Sequence, residues 1–246
     1  MGATVVKAVF EDDELELVGA VDKNAIGDDA GLAAGIGSIG VNIAESISAA
    51  GSADVLVDFT HPSIVEANVL EALNAGMHVV VGTTGLTETQ LSNIEQKSAE
   101  ASRNVFIAPN FAIGAVLMME LAKKAAKHMD NVEIIELHHN QKADAPSGTA
   151  LKTAGELDCN SAQIDGEKEV VSGARGGLQN NIRIHSVRLP GLVAHQEVLF
   201  GAKGQTLSIR HDSIDRVSFM PGVVTAIKAV PNRKGLTIGL EKLIEI

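Results

Sequence analysis

Apolar residues at Val5, Val6, Val9 and Phe10 recur at helical spacing, which predicts a helix over Ala3–Phe10. The run Leu15–Val21 then reads as a buried strand ending at Asp22. Farther along, strand patterns at Val55–Phe59, His78–Val81 and Val105–Ala108 alternate with helical patterns near Ile64–Ala75, Glu88–Ser102 and Ile113–His128. Alternation of this kind implies a parallel sheet wound on both faces. Two helix starts, Ser63 with Glu66 and Thr87 with Gln90, have the spacing of capping boxes.

The second half changes character. Val132–Leu137 is a short β-branched run, and Ser147-Gly-Thr opens a helix running to about Leu157. Cys159–Gln179 is polar and glycine-rich and reads as a mobile linker or lid. Strand patterns at Asn181–Arg188, His195–Phe200 and Thr206–His211, joined by short turns, predict an antiparallel meander. Ser213–Val230 looks helical and Leu236–Leu240 strand-like, returning to the first domain. The expected division is therefore residues 1–109 with 217–246 as one domain and 110–216 as the other.

Composition narrows the classes. With 246 residues, 45% of them apolar, the chain can build one large or two modest cores. A net charge of −11 argues against duplex nucleic acid, and the absence of Trp and Tyr argues against a stacking platform for single strands. The lone cysteine, Cys159, excludes an internal disulfide framework and fits a reducing compartment. No apolar run approaches the roughly eighteen residues of a membrane span. Without a secretory signal layout at the start, the expected location is cytoplasmic.

The chemistry concentrates in Glu136-Leu-His-His-Asn-Gln-Lys-Ala-Asp-Ala-Pro-Ser-Gly-Thr-Ala150. A helix start with unpaired N–H groups, a small glycine and a threonine hydroxyl is an anion site, so a carboxylate or phosphate can dock on Gly148 and Thr149. Lys142 can reach the same spot as cation or proton donor, and His138 or His139 can change charge near neutral pH. The combination reads as proton transfer to an anionic substrate. A zinc site at His138 and His139 is disfavoured, because neighbours on a strand face opposite ways and no spaced partner set follows. His185, His195 and His211 read as structural or interfacial. In the first half, ligands on a parallel sheet bind beyond the carboxyl ends of the strands. Those ends are Asp22-Lys23, Thr60-His61-Pro62, Gly82-Thr-Thr-Gly85 and Ala108-Pro-Asn-Phe111. Asp22 suits a ribose hydroxyl, and Lys23 a 2′-phosphate. Gly35-Ile-Gly37-Ser-Ile-Gly40 has the dinucleotide spacing, but it follows no strand and is read as a flexible loop.

Over nearly its whole length the sequence resembles the dihydrodipicolinate reductases. The likeness rests on Asp58-Phe-Thr-His-Pro62, Val81-Gly-Thr-Thr-Gly85, Ala108-Pro-Asn-Phe-Ala-Ile-Gly114, Glu136-Leu-His-His with Lys142–Ala150, and His185–Gly201. It implies a doubly wound Rossmann-type parallel sheet with a second α+β domain on an antiparallel or mixed sheet. It also implies hydride transfer from NADH or NADPH to a cyclic dicarboxylate, with loss of water, in lysine biosynthesis. By that likeness His138 is the acid/base, Lys142 a proton donor, and His139, Ser147, Gly148 and Thr149 hold substrate carboxylates. Asp22, His61, Gly82, Thr83, Thr84, Ala108, Pro109, Asn110 and Phe111 would line the cofactor, with Met1 the remnant of a phosphate loop. No metal is implied, and the expected assembly is a homotetramer joined through the antiparallel sheets. The family's first strand and most of its glycine-rich loop are missing ahead of Met1, so a catalytically impaired dinucleotide-binding homologue is the alternative. A metal-dependent hydrolase is a second alternative, and it predicts activity that a chelator abolishes.

Overall fold

The opening amphipathic stripe folds as a helix, Gly2–Phe10 (α1), which buries Val5 and Val9. The structure, a computed structural model, describes residues 1–162 and 165–244 and divides into two units, Met1 to Phe111 with the return from Arg216, and Ala112 to Asp215.

In the first unit, only Ala20–Val21 (β1) of the expected Leu15–Val21 strand is formed. Its partner is Ile43–Ala44 (β2), which follows the short helix Ala30–Ala34 (α2). An apolar run is buried on both faces only where sheet neighbours cover it, and here the single neighbour is two residues long, leaving Val18 and Val21 exposed. The expected flexible loop at Gly35–Gly40 is instead clasped on one carboxylate. Asp29 accepts hydrogen bonds from Gly31 N (2.8 Å), Ser38 Oγ (2.8 Å) and Gly40 N (2.8 Å).

Then Val55–Asp58 (β3), Val65–Asn74 (α3), His78–Val81 (β4), Glu88–Ala101 (α4) and Val105–Ile107 (β5) alternate as the pattern predicted. The three strands are parallel, and Leu236–Ile238 pairs with β5 in the same sheet. Val79, Val81, Val105 and Ile107 share one face with Val65, Val69 and Leu73 of α3 and Ile94 of α4. Val80 and Phe106, of the opposite parity, are fully buried as well. The Thr87–Gln90 capping box is present in both directions. The Ser63–Glu66 box is not formed: α3 has Ile64 at its N-cap with no side-chain bond, because Ser63 Oγ is engaged by His61 Nδ1 (2.9 Å) and Glu66 by Asn93 (2.9 Å).

The second unit opens with Ile113–Ala126 (α5), Asn131–His138 (β6) and Gly148–Glu156 (α6). Gly177–Gln179 (β7), Ile182–Arg188 (β8), Ala194–Ala202 (β9) and Gln205–Ser213 (β10) follow. The strand order is β10-β9-β6-β8-β7. The expected meander is therefore corrected: β9 and β10 form a hairpin, but β6 lies between β9 and β8, and pairs with β8 in parallel. Short turns look the same in sequence whichever strand inserts between their flanks, and the parallel pair is made possible by the α6 crossover. The linker expected over 159–179 ends in the edge strand β7; residues 163 and 164 lie outside the described residues. Met118, Met119 and Ala122 of α5, with Ala150 and Ala154 of α6, pack on Val132, Ile134, Ile184, Val198 and Phe200 of this sheet.

The chain returns to the first unit through Met220–Ala229 (α7) and Leu236–Ile238 (β11), giving the parallel order β11-β5-β4-β3. Gly222 of α7 lies against Phe111, where an added Cβ would fall 2.1 Å from the backbone oxygen. Residues 245 and 246, the end of the expected return segment, lie outside the described residues.

Candidate active site

In the second unit, β6 buries alternate residues, Val132, Ile134 and Glu136, and His138 continues that parity at the strand's carboxyl end. Glu136 is fully buried. Its Oε1 accepts from Arg188 Nη2 (2.8 Å) and from the Ser147 backbone N–H (3.3 Å). Its Oε2 accepts from Arg188 Nη1 (2.9 Å) and is hydrogen-bonded to His138 Nδ1. The parallel register sets His138 opposite Arg188, so the guanidinium reaches the carboxylate from the neighbouring strand. Arg188 Nη2 also donates to the Asp144 carbonyl (2.6 Å), tying the loop to the strand pair.

Burial pushes His138 below the ordinary imidazole value; Lys142 and Arg188 push the same way, and Glu136 only partly opposes them. Burial alone would raise Glu136, yet hydrogen bonds from Arg188, Ser186 and His138 carry it below the ordinary carboxylate value. Glu136 is thus an anion facing a neutral imidazole at neutral pH.

Lys142 is half-buried, and its ammonium is held by both oxygens of Asp144, at 2.8 and 2.9 Å. That contact keeps the Asp144 carboxyl below its usual range. Ser147 is buried and caps α6, its Oγ accepting from Ala150 N (3.2 Å). Gly148 is exposed, with nothing within 4 Å of where a Cβ would stand, and the Gly148 and Thr149 amides have no acceptor among the described residues. The structure therefore gathers His138, Lys142, Ser147, Gly148 and Thr149 about one loop, with His139 exposed beside them. Such an arrangement can hold an anion at a helix start and move a proton next to it.

In the first unit, the registers align Asp58, Val81 and Ile107, so the segments 59–61, 82–85 and 108–111 leave the same sheet edge. Gly82, Thr83 and Thr84 line a hollow of about 240 Å³ with Met1, Phe59, Thr60 and Pro62. An added Cβ at Gly82 would fall 2.0 Å from the Phe59 ring, so any larger residue there must displace that ring. The buried carboxylate of Asp58 stitches the edge together, accepting from Thr60 Oγ1, Thr83 Oγ1 and Asn68 Nδ2, each at 2.8 Å. Asp22 and Lys23 stand exposed after β1, where Asp22 accepts from Asn24 N (2.8 Å). His61, Asp22, Lys23 and Ala108–Phe111 do not line the hollow. A glycine-floored hollow at the carboxyl edge of a parallel sheet is where such folds take a dinucleotide, and the residues present fit one.

Sequence reasoning assigned no role to Glu136, Arg188 or Asp58. For Glu136 a signal was present, since a carboxylate falling on the buried parity of an alternating strand needs partners. For Arg188 none was, because its partner lies 52 residues away. The remaining histidines are engaged otherwise: His185 meets Glu133 (2.7 Å), His195 meets Asp212 (2.6 Å), and the His211 ring lies over Gly114. Among the described residues no group of three or more His, Cys, Asp or Glu side chains is placed to hold a metal ion. Burial raises the Cys159 thiol to about 11.

A family model described as dihydrodipicolinate reductase, N-terminus, matches residues 1–111, and one described as dihydrodipicolinate reductase, C-terminus, matches residues 114–244. The chain is 49% identical to the 4-hydroxy-tetrahydrodipicolinate reductase of Picosynechococcus sp., covering 99% of this chain and 94% of that one. It is 50% identical to the enzyme of the same name from Synechocystis sp., with the same coverage. Among solved structures it is similar to dipicolinate-bound dihydrodipicolinate reductase from Paenisporosarcina sp. TG-14, with a TM-score of 0.87 and 41% identity over 99% of this chain and 95% of that one. Amine dehydrogenase from Mycobacterium smegmatis, at 12% identity and a TM-score of 0.64 over 96% and 92% of the two chains, shares the fold.

Proposed function

Because the chain belongs to the dihydrodipicolinate reductase family, we propose that it reduces 4-hydroxy-tetrahydrodipicolinate to tetrahydrodipicolinate in lysine biosynthesis by the diaminopimelate route. The balance is one hydride and one proton taken up for each water released. Bound NADH or NADPH supplies the hydride.

The chain's own residues supply the rest. Gly148 and Thr149, with Ser147 capping the helix and His139 beside it, hold the ring carboxylates through backbone N–H groups and side-chain donors. His138, kept neutral by burial, exchanges a proton with the ring, and the ammonium of Lys142 donates one. In the first unit Met1 and Gly82–Thr84 contact the cofactor at the hollow, joined by His61 and Ala108–Phe111 from the same edge. Asp22 takes a ribose hydroxyl, and Lys23 a 2′-phosphate where there is one. The units are accordingly a dinucleotide domain (1–109 and 217–246) and a substrate domain (110–216).

The observation that carries this reading is the junction of His138, Lys142 and the Ser147-capped helix start on one loop. It also weighs against a binding protein that lost turnover, since such a protein has no use for a carboxylate-paired imidazole beside an ammonium. The test is loss of reduced-nicotinamide absorbance when purified protein meets the cyclic substrate. Substrate-dependent oxidation of NADH or NADPH is expected, unaffected by a chelator, and none with either cofactor would overturn the reading. The protein is further inferred to be cytoplasmic and to assemble as a homotetramer through its mixed sheet. Light scattering should then give about four times the 25.6 kDa chain mass. No helix among the described residues is long and apolar enough to cross a membrane.

A further inference from the structure

A carboxylate at a core position is strongly unfavourable unless its lone pairs are used. At Glu136 Arg188 alone would neutralise the charge, with two bonds of 2.8 and 2.9 Å. Yet the same carboxylate also engages His138 Nδ1 and the Ser147 N–H at the start of α6. Those two contacts fill the lone pairs that Arg188 leaves open, and both run to the candidate site, one to its imidazole and one to the start of its helix. Buried ion pairs are moreover weak contributors to stability compared with apolar side chains of the same volume.

We propose that Glu136 is a positioning residue for the proton transfer: it fixes which nitrogen of His138 carries the proton and holds that imidazole in register with the helix start that binds the substrate carboxylate. The proposal rests on His138 being the acid/base. An ionised carboxylate can only accept, so His138 must present Nδ1–H to it, and Nε2 is left as the basic nitrogen. Oε1, accepting from Ser147 N, links the same group to the first turn of α6, so imidazole and anion site move as one body. Arg188 reinforces this by gripping both oxygens of Glu136 and the carbonyl of Asp144, two residues from Lys142. The charges acting on His138 are Glu136 on its own strand, Arg188 on β8 and Lys142 on the loop, with Asp144 paired to Lys142. From β9, Gln196 and Ala194 stand opposite Glu136 and His138 and do not titrate, and the start of α6 brings only Ser147, Gly148 and Thr149.

The test is Glu136→Gln in the full chain, which keeps the size and removes the charge. Gln can offer His138 an amide N–H, which demands the opposite tautomer, so kcat should fall on the order of 10²-fold or more, as when a tautomer-fixing carboxylate is neutralised elsewhere. NADPH affinity should stay within about twofold, and the limb of the pH profile owed to His138 should move to lower pH by about one unit. In a His138→Gln background the same change should cost less than about threefold, because the two residues act as a unit. Equal losses in both backgrounds, or an unmoved pH profile, would show a merely structural role and overturn the proposal. The tautomer is also readable without turnover: nitrogen NMR shifts of His138 should report a protonated Nδ1 in the native chain and change in Glu136→Gln. Unchanged shifts sink the proposal whether or not the enzyme reading stands. Should that variant fail to fold, Glu136→Leu with Arg188→Met removes both charges and should fold and bind NADPH; turnover within about threefold of the native rate would overturn the proposal.

Discussion

At the scale of single residues, His138 and Lys142 make separable demands. On the proposed assignment both act on protons of the substrate, so His138→Gln or Lys142→Met should lower kcat by roughly 10²- to 10⁴-fold while leaving NADPH affinity within about twofold. Equilibrium binding of the cofactor beside steady-state rates checks this, and a parallel loss of cofactor affinity would reassign both residues. Asp144 makes a less obvious demand. Its carboxylate, mostly exposed, occupies the Lys142 ammonium at 2.8 and 2.9 Å, so an incoming anion must compete with it. An exposed pair is worth about 0.2–1 kcal/mol, so Asp144→Asn should lower KM for the dicarboxylate by at most about fivefold. A raised KM would mean that Asp144 orients Lys142 instead of competing for it. His138, Lys142 and Ser147–Thr149 stood out as candidates in the sequence because their chemistry is local: imidazole, ammonium and a helix cap within fifteen residues. Glu136 showed only as a carboxylate on a buried parity, and Arg188 was illegible, since the pairing of the two depends on β6 and β8 lying side by side.

At the scale of elements, legibility followed how each element is stabilised. β4 at His78–Val81 and α4 from Glu88 were readable because a buried run and a capping box are signals carried within the segment. The two capping-box spacings were alike in sequence, and what decided between them was the local capture of Ser63 by His61 and the tertiary capture of Glu66 by Asn93. Thr87→Ala should therefore destabilise the first unit by about 1 kcal/mol, whereas Ser63→Ala should cost no capping energy at α3. Denaturant midpoints followed by a first-unit probe compare them, and equal losses would contradict the capping assignment. Leu15–Val21 failed as a strand prediction because burial of a strand is a property of its neighbours. α7 offers a sharper test of packing. At Gly222 a Cβ would stand 2.1 Å from the Phe111 oxygen and 3.0 Å from Leu240, so the clash is with backbone and cannot be relieved by a rotamer. Gly222→Ala should cost about 1–3 kcal/mol or more despite the gain in helix propensity, and a stabilised variant would show that α7 is not packed there.

At the scale of the whole molecule, pH acts on both units with one sign. Burial lowers His78, His138 and His211 below the ordinary 6.5; Arg103 adds to the effect at His78 and His195 at His211, against Asp54 and Asp212. An unfolded chain binds these protons more readily than the folded one, so stability rises with pH across this range. The contribution is fully present above 6.5 and drains away as the pH falls toward the depressed folded values. Glu133 and Glu136, held below 4.5 by hydrogen bonds that outweigh burial, lose theirs in a later stage, as the pH drops below that value. Acid destabilisation should thus come in two stages of the same direction. His78 isolates the first. Its Nδ1 accepts the Asn104 backbone N–H at 2.9 Å, and a protonated ring has no lone pair for that bond. An asparagine carbonyl can accept in the same place without titrating, so His78→Asn should flatten the fall of Tm between about pH 7.5 and 5.5 while leaving the lower stage as steep as before. Tm measured across that range decides the matter: an unchanged slope would mean that His78 takes up its proton without losing Asn104, and that the first stage belongs to the histidines of the second unit.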